Sequence, residues 1–281
     1  MATIGAAILL WPAPWADACS IFAASKNGLV LVGNNEDYYL HVIPRVWVDA
    51  GGPDEYGRIT FGFGPEKSRP FAQGGVNSAG LFFDAAVIPK IGPSPKRKPK
   101  PPGNMGDDML AECSTVNEAL AWLRKYDLHR LEGCHFLLAD KSGAATVAEF
   151  IGGELKEIPS GKKYIAATNF AFTKPEAGNF PCPRFETIRA ALGDATPDPD
   201  VSIDGFRALL AATVVARTPD AEARRDGGTL YSNIYDLSNG TITVYRESRW
   251  DASLRIDVAE WLARGDESIP MDTLFATPVQ P

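Results

Sequence analysis

The chain has 281 residues, 45% of them apolar and 22% charged, a composition that folds and that excludes both wholesale disorder and collagen-like repetition. Its net charge of -7 argues against nucleic acid as a partner, because affinity for a phosphate backbone is built on clustered Lys and Arg. Four Cys without a CxxC pair, no HExxH and only three His (His41, His129 and His135) supply neither a disulfide framework nor a metal cage.

Residues 4–11 are an apolar run of signal-core length, although no Lys or Arg precedes it. Pro12 and Pro14 follow, and then Ala16-Asp17-Ala18, the small-residue pattern at which secretory signals are cut. The run is shorter than the ~20 apolar residues a membrane span needs, and no later run reaches that length. Residues 1–18 therefore read as a signal peptide removed from a secreted or periplasmic protein. Residues 19–281 then form one domain, and its first residue is Cys19.

Beyond Cys19 the pattern is that of hairpins. Residues 20–25 and 29–33 are β-rich and flank Lys26-Asn27-Gly28, where Asn-Gly tolerates the positive φ of a tight turn. Residues 70–73 and 81–88 flank Asn77-Ser78-Ala79-Gly80, residues 135–139 and 144–150 flank Asp140-Lys141-Ser142-Gly143, and residues 230–237 and 241–246 flank Asn239-Gly240. Amphipathic helices lie between them. One begins at the capping box Thr115-Val116-Asn117-Glu118, and residues 184–192 and 205–215 are two more. Hairpins with one-sided helices predict an α+β domain of packed antiparallel sheets with helices outside.

Two stretches read as loops. Residues 89–103 hold six Pro and five basic residues (Lys90, Lys96, Arg97, Lys98 and Lys100) and should be extended and solvated, or else form a flap over a pocket for anionic or polar groups. Residues 218–228, with Arg224 and Arg225 adjacent, are the other. Cys113, Cys134 and Cys182 are an odd three, so at most one bridge could join two of them.

If the chain is cut after Ala18, Cys19 carries a thiol and a free α-amine on one residue. Their ordinary pKa values, about 8.5 and about 7.7–8.0, let the amine take the thiol proton near neutral pH, the N-terminal-nucleophile arrangement. Such a nucleophile needs an orienting acceptor and donors for an oxyanion. Gly33-Asn34-Asn35-Glu36-Asp37 ends the strand that returns beside Cys19, with Asp37 as the natural orienter, unless the segment is a turn with Asx bonds. Asn169 ends the stretch from Lys163 and offers an amide donor.

Taken in order, Cys19-Ser20-Ile21, Gly33-Asn34-Asn35-x-Asp37, Asn77-x-x-Gly80-Leu81, Thr168-Asn169, Pro183-Arg184-Phe185 and the segment from Leu230 to Leu237 resemble the linear-amide C–N hydrolases, the family of choloylglycine hydrolases and penicillin V acylases. The resemblance implies an αββα four-layer sandwich and hydrolysis of an unstrained amide through an acyl-enzyme. It implies Cys19 as nucleophile and base, Asp37 holding thiol and amine, and Asn169 in the oxyanion hole beside a backbone N–H near Val87. Arg184 is then the site arginine, with Arg224 and Arg225 as rivals. The reading needs no metal and no cofactor.

Two positions depart from the family. Relatives often carry Gly-Arg-Asn-x-Asp, whereas Asn34 stands at the Arg position here, which removes a permanent cation near the thiol. Only 14 residues separate Asn169 from Arg184, too few for the arm of tetrameric members, so a monomer or dimer is expected. Phe61, Phe63, Phe71, Phe82, Phe83 and Phe170 near the nucleophile predict a small-molecule amide with an apolar acyl group. The alternatives are a dipeptidase or acyltransferase of the same nucleophile class, and a lipid-anchored or periplasmic binding protein acylated at Cys19.

Overall fold

The computed structural model describes residues 19–64, 71–92, 98–100, 103–161, 164–220 and 225–276. The proposed signal segment, Lys96, Arg97 and Arg224 lie outside them, as do the side chains of Phe71 and Arg225. The strands are β1 (Ser20–Lys26), β2 (Leu29–Tyr39), β3 (Arg45–Asp49), β4 (Arg58–Phe63), β5 (Phe71–Asn77), β6 (Leu81–Val87), β7 (Cys134–Asp140), β8 (Ala145–Ile151), β9 (Glu154–Pro159) and β10 (Tyr164–Ala167). They continue with β11 (Thr218–Asp220), β12 (Arg225–Asp236), β13 (Thr241–Arg246), β14 (Ser253–Asp257) and β15 (Glu267–Pro270). The helices are α1 (Met105–Glu112), α2 (Val116–Leu123), α3 (Pro183–Leu192), α4 (Ile203–Thr213), α5 (Val258–Leu262) and α6 (Met271–Ala276).

Two antiparallel sheets result. One runs β10-β1-β2-β12-β13-β14, with β11 beside β12; the other runs β15-β3-β4-β5-β6-β7-β8-β9. Alternate residues of each strand face opposite sides, and both sides are covered here. Ile21, Val32, Phe61, Phe82, Leu137 and Ile242 form the layer between the sheets. Phe22, Leu31 and Ile234 pack outward against Ile188 of α3 and Phe206 and Leu210 of α4. Phe83, Phe136 and Leu138 pack outward against Met109 and Leu110 of α1 and Leu120 of α2. This is the αββα sandwich.

The hairpins fall where the turn residues put them, and Asn27 and Gly28 both have positive φ. The elements differ from the sequence pattern in informative ways. β2 does not stop at Gly33 but runs to Tyr39, so the Asn-rich segment is buried strand and not an Asx turn. Residues 218–220 and 225–227 are not loop but a paired hairpin arm. α4 starts two residues before the expected 205, because Ser202 caps it by accepting from the Gly205 N–H. Thr115 caps α2, but Glu118 reaches back to the backbone and hydroxyl of Ser114 instead of closing the box on Thr115.

α1 has no strong apolar period and follows a Pro-rich stretch, so the pattern does not announce it. Asn104 caps it by accepting from the Gly106 and Asp107 N–H groups. Gly106 is needed for contact, since a Cβ there would sit 2.1 Å from Phe83.

Asn77 ties this layer to the sheet. Its Nδ2 donates to the carbonyls of Leu110 (2.7 Å) and Cys113 (2.6 Å), and its Oδ1 accepts from the N–H groups of Ala79 and Leu81. The β5–β6 turn and the end of α1 are therefore satisfied by one buried amide. Asn77→Ala leaves buried donors and acceptors unpaired and should lower stability by about 2–4 kcal/mol, read as a lower urea midpoint with an unchanged slope.

Candidate functional site

The site forms where β1 begins. The Asn27-Gly28 turn pairs Lys26 with Leu29, and the ladder continues one for one to Ser20 opposite Asn35. One step further, Cys19 faces Glu36. Both side chains point into the inter-sheet layer, and the thiol donates to Glu36 Oε2 at 3.7 Å. Neighbouring Asn35 and Asp37 point the other way. Asn35 donates to the Leu210 carbonyl at 3.0 Å and to Thr213 Oγ1 at 3.1 Å, which fixes α4 on the sheet.

Asp37 lies on that helix-facing side. It accepts from the Thr229 hydroxyl and faces Arg184 Nη1 at 3.5 Å. A register shift between Thr229 and Tyr231 in β12 puts Thr229 opposite Asp37 and Tyr231 opposite Glu36, a bulge that re-aims two side chains to opposite faces. The expectation that the Asp37 carboxylate holds the thiol needs correction. Strand alternation gives the thiol the Glu36 carboxyl, while Asp37 offers it a backbone N–H.

Arg184 joins the parts. It sits in the first turn of α3, just after Pro183, and reaches across β1. Its Nη1 donates to the Cys19 carbonyl at 2.8 Å and to Ser20 Oγ at 2.7 Å, and its Nη2 donates to Asn169 Oδ1 at 2.8 Å. That last bond orients the amide, because a guanidinium can only donate. Asn169 Nδ2 accordingly turns the other way and donates to the Val87 carbonyl at 2.9 Å. Where a backbone N–H near Val87 is expected to donate beside the Asn169 amide, the structure shows the Val87 C=O accepting from that amide. Glu149 steadies the chain just after Asn169 by accepting from the Phe172 and Thr173 N–H groups and the Thr173 hydroxyl. Burial alone would raise the Glu149 pKa, but these donors and His135 hold it below its usual value.

Asn34 is buried on the thiol's side of β2, with Ile21 and Asn233 as its strand partners. It lies beside Glu36 and favours that residue's ionised form. Of the rival arginines, Arg225 is paired with Asp220 in the β11–β12 hairpin.

A cavity of about 590 Å³ opens over the thiol. Cys19, Glu36 and Asp37 line one end, and Phe63, Ala86, Met105, Leu131 and Phe136 supply apolar wall. Polar groups at the other end include Lys100, Asp127, His129 and Glu132. The Pro-rich segment does reach the cavity: Lys100 and Gly103 line it, Pro99 accepts from the Asp127 N–H, and Lys98 donates to the Arg124 carbonyl at 2.6 Å. Among the six Phe expected near the nucleophile, Phe63 lines the cavity. Phe61 and Phe82 belong to the inter-sheet layer, Phe83 packs under α1, and Phe170 stacks in a cluster with Phe172, Phe180 and Phe185.

The electrostatics are dominated by buried acid. Burial, then Glu36, Asp37 and Asp84, push the Cys19 thiol well above its usual pKa, with only the Asp37 N–H opposing. Burial and Asp37 raise Glu36 to about 8, against the hydrogen bond from Cys19 and the nearby Asn34 amide. Burial raises Asp37 to about 7, with Arg184 and Thr229 pulling it down. Asp84, on the facing strand β6, is driven well above the carboxylate range by burial and by Glu36. Glu36 and Asp84 went unnoticed in the sequence, although the hairpin register alone points to Glu36. Among the described residues no His, Cys, Asp and Glu cluster could hold a metal, all four Cys are free thiols, and no helix is long and apolar enough to cross a membrane.

Two antiparallel sheets between helical layers form an αββα sandwich, a fold shared with solved structures of known hydrolases. Two mutant structures of the conjugated bile acid hydrolase from Clostridium perfringens are similar to this chain. They superpose with TM-scores of 0.68 and 0.66 at 17% identity, covering 89% and 86% of this chain and 95% and 93% of theirs. The penicillin V acylase from Agrobacterium tumefaciens superposes with a TM-score of 0.57 at 16% identity over 86% of each chain. Both proteins belong to the choloylglycine hydrolase family. No family model and no curated protein sequence matches the chain, so the likeness is one of fold.

Glu36 and stability are linked in a definite direction. A carboxyl whose pKa rises from 4.5 to about 8 on folding keeps in the native state a proton that the unfolded chain has released. Its contribution is therefore fully present below about 4.5 and is lost as pH rises to about 8. Glu36→Gln in the full-length chain should gain melting temperature relative to the parent between pH 5 and pH 8, measured by calorimetry. A difference that stays constant with pH would contradict the assignment.

Proposed function

We propose that this protein is a cysteine N-terminal-nucleophile amidohydrolase. Removal of residues 1–18 would free the Cys19 amine, and the thiol would then cleave a linear amide (N-acyl) bond through an acyl-enzyme. The observation that carries this reading is the reach of Arg184, which binds both the Cys19 carbonyl and Asn169 Oδ1. One guanidinium thereby fixes the head of the first strand and an amide donor bonded to Val87, which lines a cavity of suitable size for a small molecule.

The chemistry follows from the groups in reach. The α-amine accepts the thiol proton, and sulfur attacks the amide carbonyl carbon. Negative charge develops on the carbonyl oxygen, where Asn169 Nδ2 has a use for the hydrogen it does not give to Val87. The ammonium returns a proton to the departing amine as the C–N bond breaks, leaving a thioester. Water, deprotonated by the same amine, then releases the acid. Asp37 would hold the new amine, with Arg184 fixing the Cys19 carbonyl, and the scheme calls on no metal or cofactor.

The apolar wall from Phe63 to Phe136 suits an apolar acyl group, and the polar end suits the amine half. The likeness in fold to amide-cleaving enzymes supports the reaction class. Secretion or a periplasmic location follows from the same cleavage step. The short connection from Asn169 to α3, with a single turn of 3-10 helix at Pro175–Ala177, suits a monomer or dimer.

Intact-mass analysis of the active protein should give a chain beginning at Cys19. Cys19→Ala should abolish turnover of N-acyl amides and labelling by acyl electrophiles. Arg184→Ala should lower kcat roughly 10²–10³-fold by releasing Asn169. A fully active chain that retains residues 1–18 would overturn the proposal.

A further inference from the structure

Glu36 has no task in that scheme, yet it is the carboxyl that touches the sulfur. It lines the cavity with Cys19, is 2% exposed, and its Oε2 lies 3.7 Å from Sγ. The charged groups acting on the thiol from the surrounding described residues are Glu36, Asp37 and Asp84, all acids. Arg184, the nearby cation, bonds to Asp37, Asn169, Ser20 and the Cys19 carbonyl on the helix-facing side. Among the described residues, the charged side chains that act on a thiolate here from the inter-sheet layer are carboxyls. The α-ammonium formed on Cys19 itself is a cation within the thiolate's reach; a neutral donor at Glu36 would add to that stabilisation, whereas an ionised Glu36 would repel the thiolate.

Resting on the assignment of Cys19 as nucleophile, we infer that Glu36 is a catalytic residue that works as a neutral carboxylic acid, donating its O–H to the Cys19 thiolate. In the resting thiol the bond runs from Sγ–H to Oε2. When the S–H bond breaks, the proton goes to the α-amine nitrogen. The Glu36 O–H stays intact and turns its hydrogen to the sulfur, so the hydrogen bond reverses direction. Formation of the thioester consumes the sulfur charge and releases Glu36. No proton is lost or gained in the exchange, and no co-reactant is needed.

The surroundings keep the acid neutral. The titratable groups that act on Glu36 are Cys19 from β1, Asp84 from β6 and Tyr231 and Tyr235 from β12, with Asp37 acting from the other face of its own strand. None is a cation, and Glu36 and Asp84 cannot both ionise in one buried site. Burial followed by Asp37 holds Glu36 protonated up to about 8. Raising pH therefore has an unusual effect: it favours the thiolate in general, but here it also converts the donor beside it into a like charge.

The test is the pH profile of kcat/KM for the mature enzyme on an N-acyl amide, with iodoacetamide alkylation of Cys19 followed in parallel. The parent should lose rate on the alkaline side. Glu36→Gln keeps an N–H donor that cannot ionise, so its alkaline limb should disappear. Glu36→Leu should lower kcat roughly 10–100-fold with KM changed less than about 3-fold. An infrared titration of the parent needs no variant, and a carboxylic-acid C=O band should vanish with the midpoint of the alkaline limb. An alkaline limb that survives in Glu36→Gln, or no band lost at that midpoint, overturns the inference. If Cys19→Ala is inert while Glu36→Gln keeps the limb, only the role of Glu36 falls. If Cys19→Ala still hydrolyses the amide, the nucleophile assignment falls with it.

Discussion

The structure depends on the ladder between β1 and β2. A two-residue turn fixes the pairing of Lys26 with Leu29, and every residue back to Ser20 inherits its partner from that one contact. Both strands are central, with β10 on one side and β12 on the other, and both faces are buried. A slip of one residue would send Ile21, Val32 and Glu36 toward the helices and Phe22, Leu31 and Asp37 into the inter-sheet layer. The register is thus held by two hydrophobic layers at once. Gly33 marks how closely one of them is packed, since a Cβ there would lie 2.5 Å from the ring of Phe22.

That ladder also sorts the acids. Glu36 and Asp37 are adjacent in sequence and both are raised by burial, yet they serve different faces. Asp37 has a guanidinium and a hydroxyl as partners. Glu36 has a thiol, an amide and another acid around it. Adjacent carboxyls thereby sit in contrasting environments, and strand alternation separates them by a single residue. A third carboxyl, Asp84, is admitted opposite them because residue 74 is Gly, where a Cβ would come 2.2 Å from the Asp84 carboxylate.

Much of this was open to a reader of the sequence. Asn27-Gly28, Asn77 to Gly80 and Asn239-Gly240 announce their turns by residue types that tolerate the backbone there, and Thr115 announces a helix start. α1 was hidden because its Gly106 and its Pro-rich approach weaken the helical period, although Asn104 was a usable cap. The first arm of the β11–β12 hairpin was hidden because three residues show no alternation. Phe61, Phe82, Phe83 and Phe170 lie away from the cavity for a general reason. Aromatic side chains on a strand buried on both faces serve two cores equally well, and hydrophobicity does not say which one, or whether either borders a cavity.

The sequence by itself determined the hairpin turns, the register they impose, and hence that Cys19 must face Glu36 at the head of the first strand. These follow from bonds between near neighbours, whose geometry is set by local backbone preference. Only the tertiary structure decided that Arg184 reaches Cys19, Asn169 and Asp37 together, and that Val87 meets Asn169 through its carbonyl. Residues 165 positions apart come into contact because α3 docks its apolar side on β1 and β10 while the second sheet closes over the first. That docking is fixed by the summed burial of many side chains, a quantity that no short stretch of the chain contains.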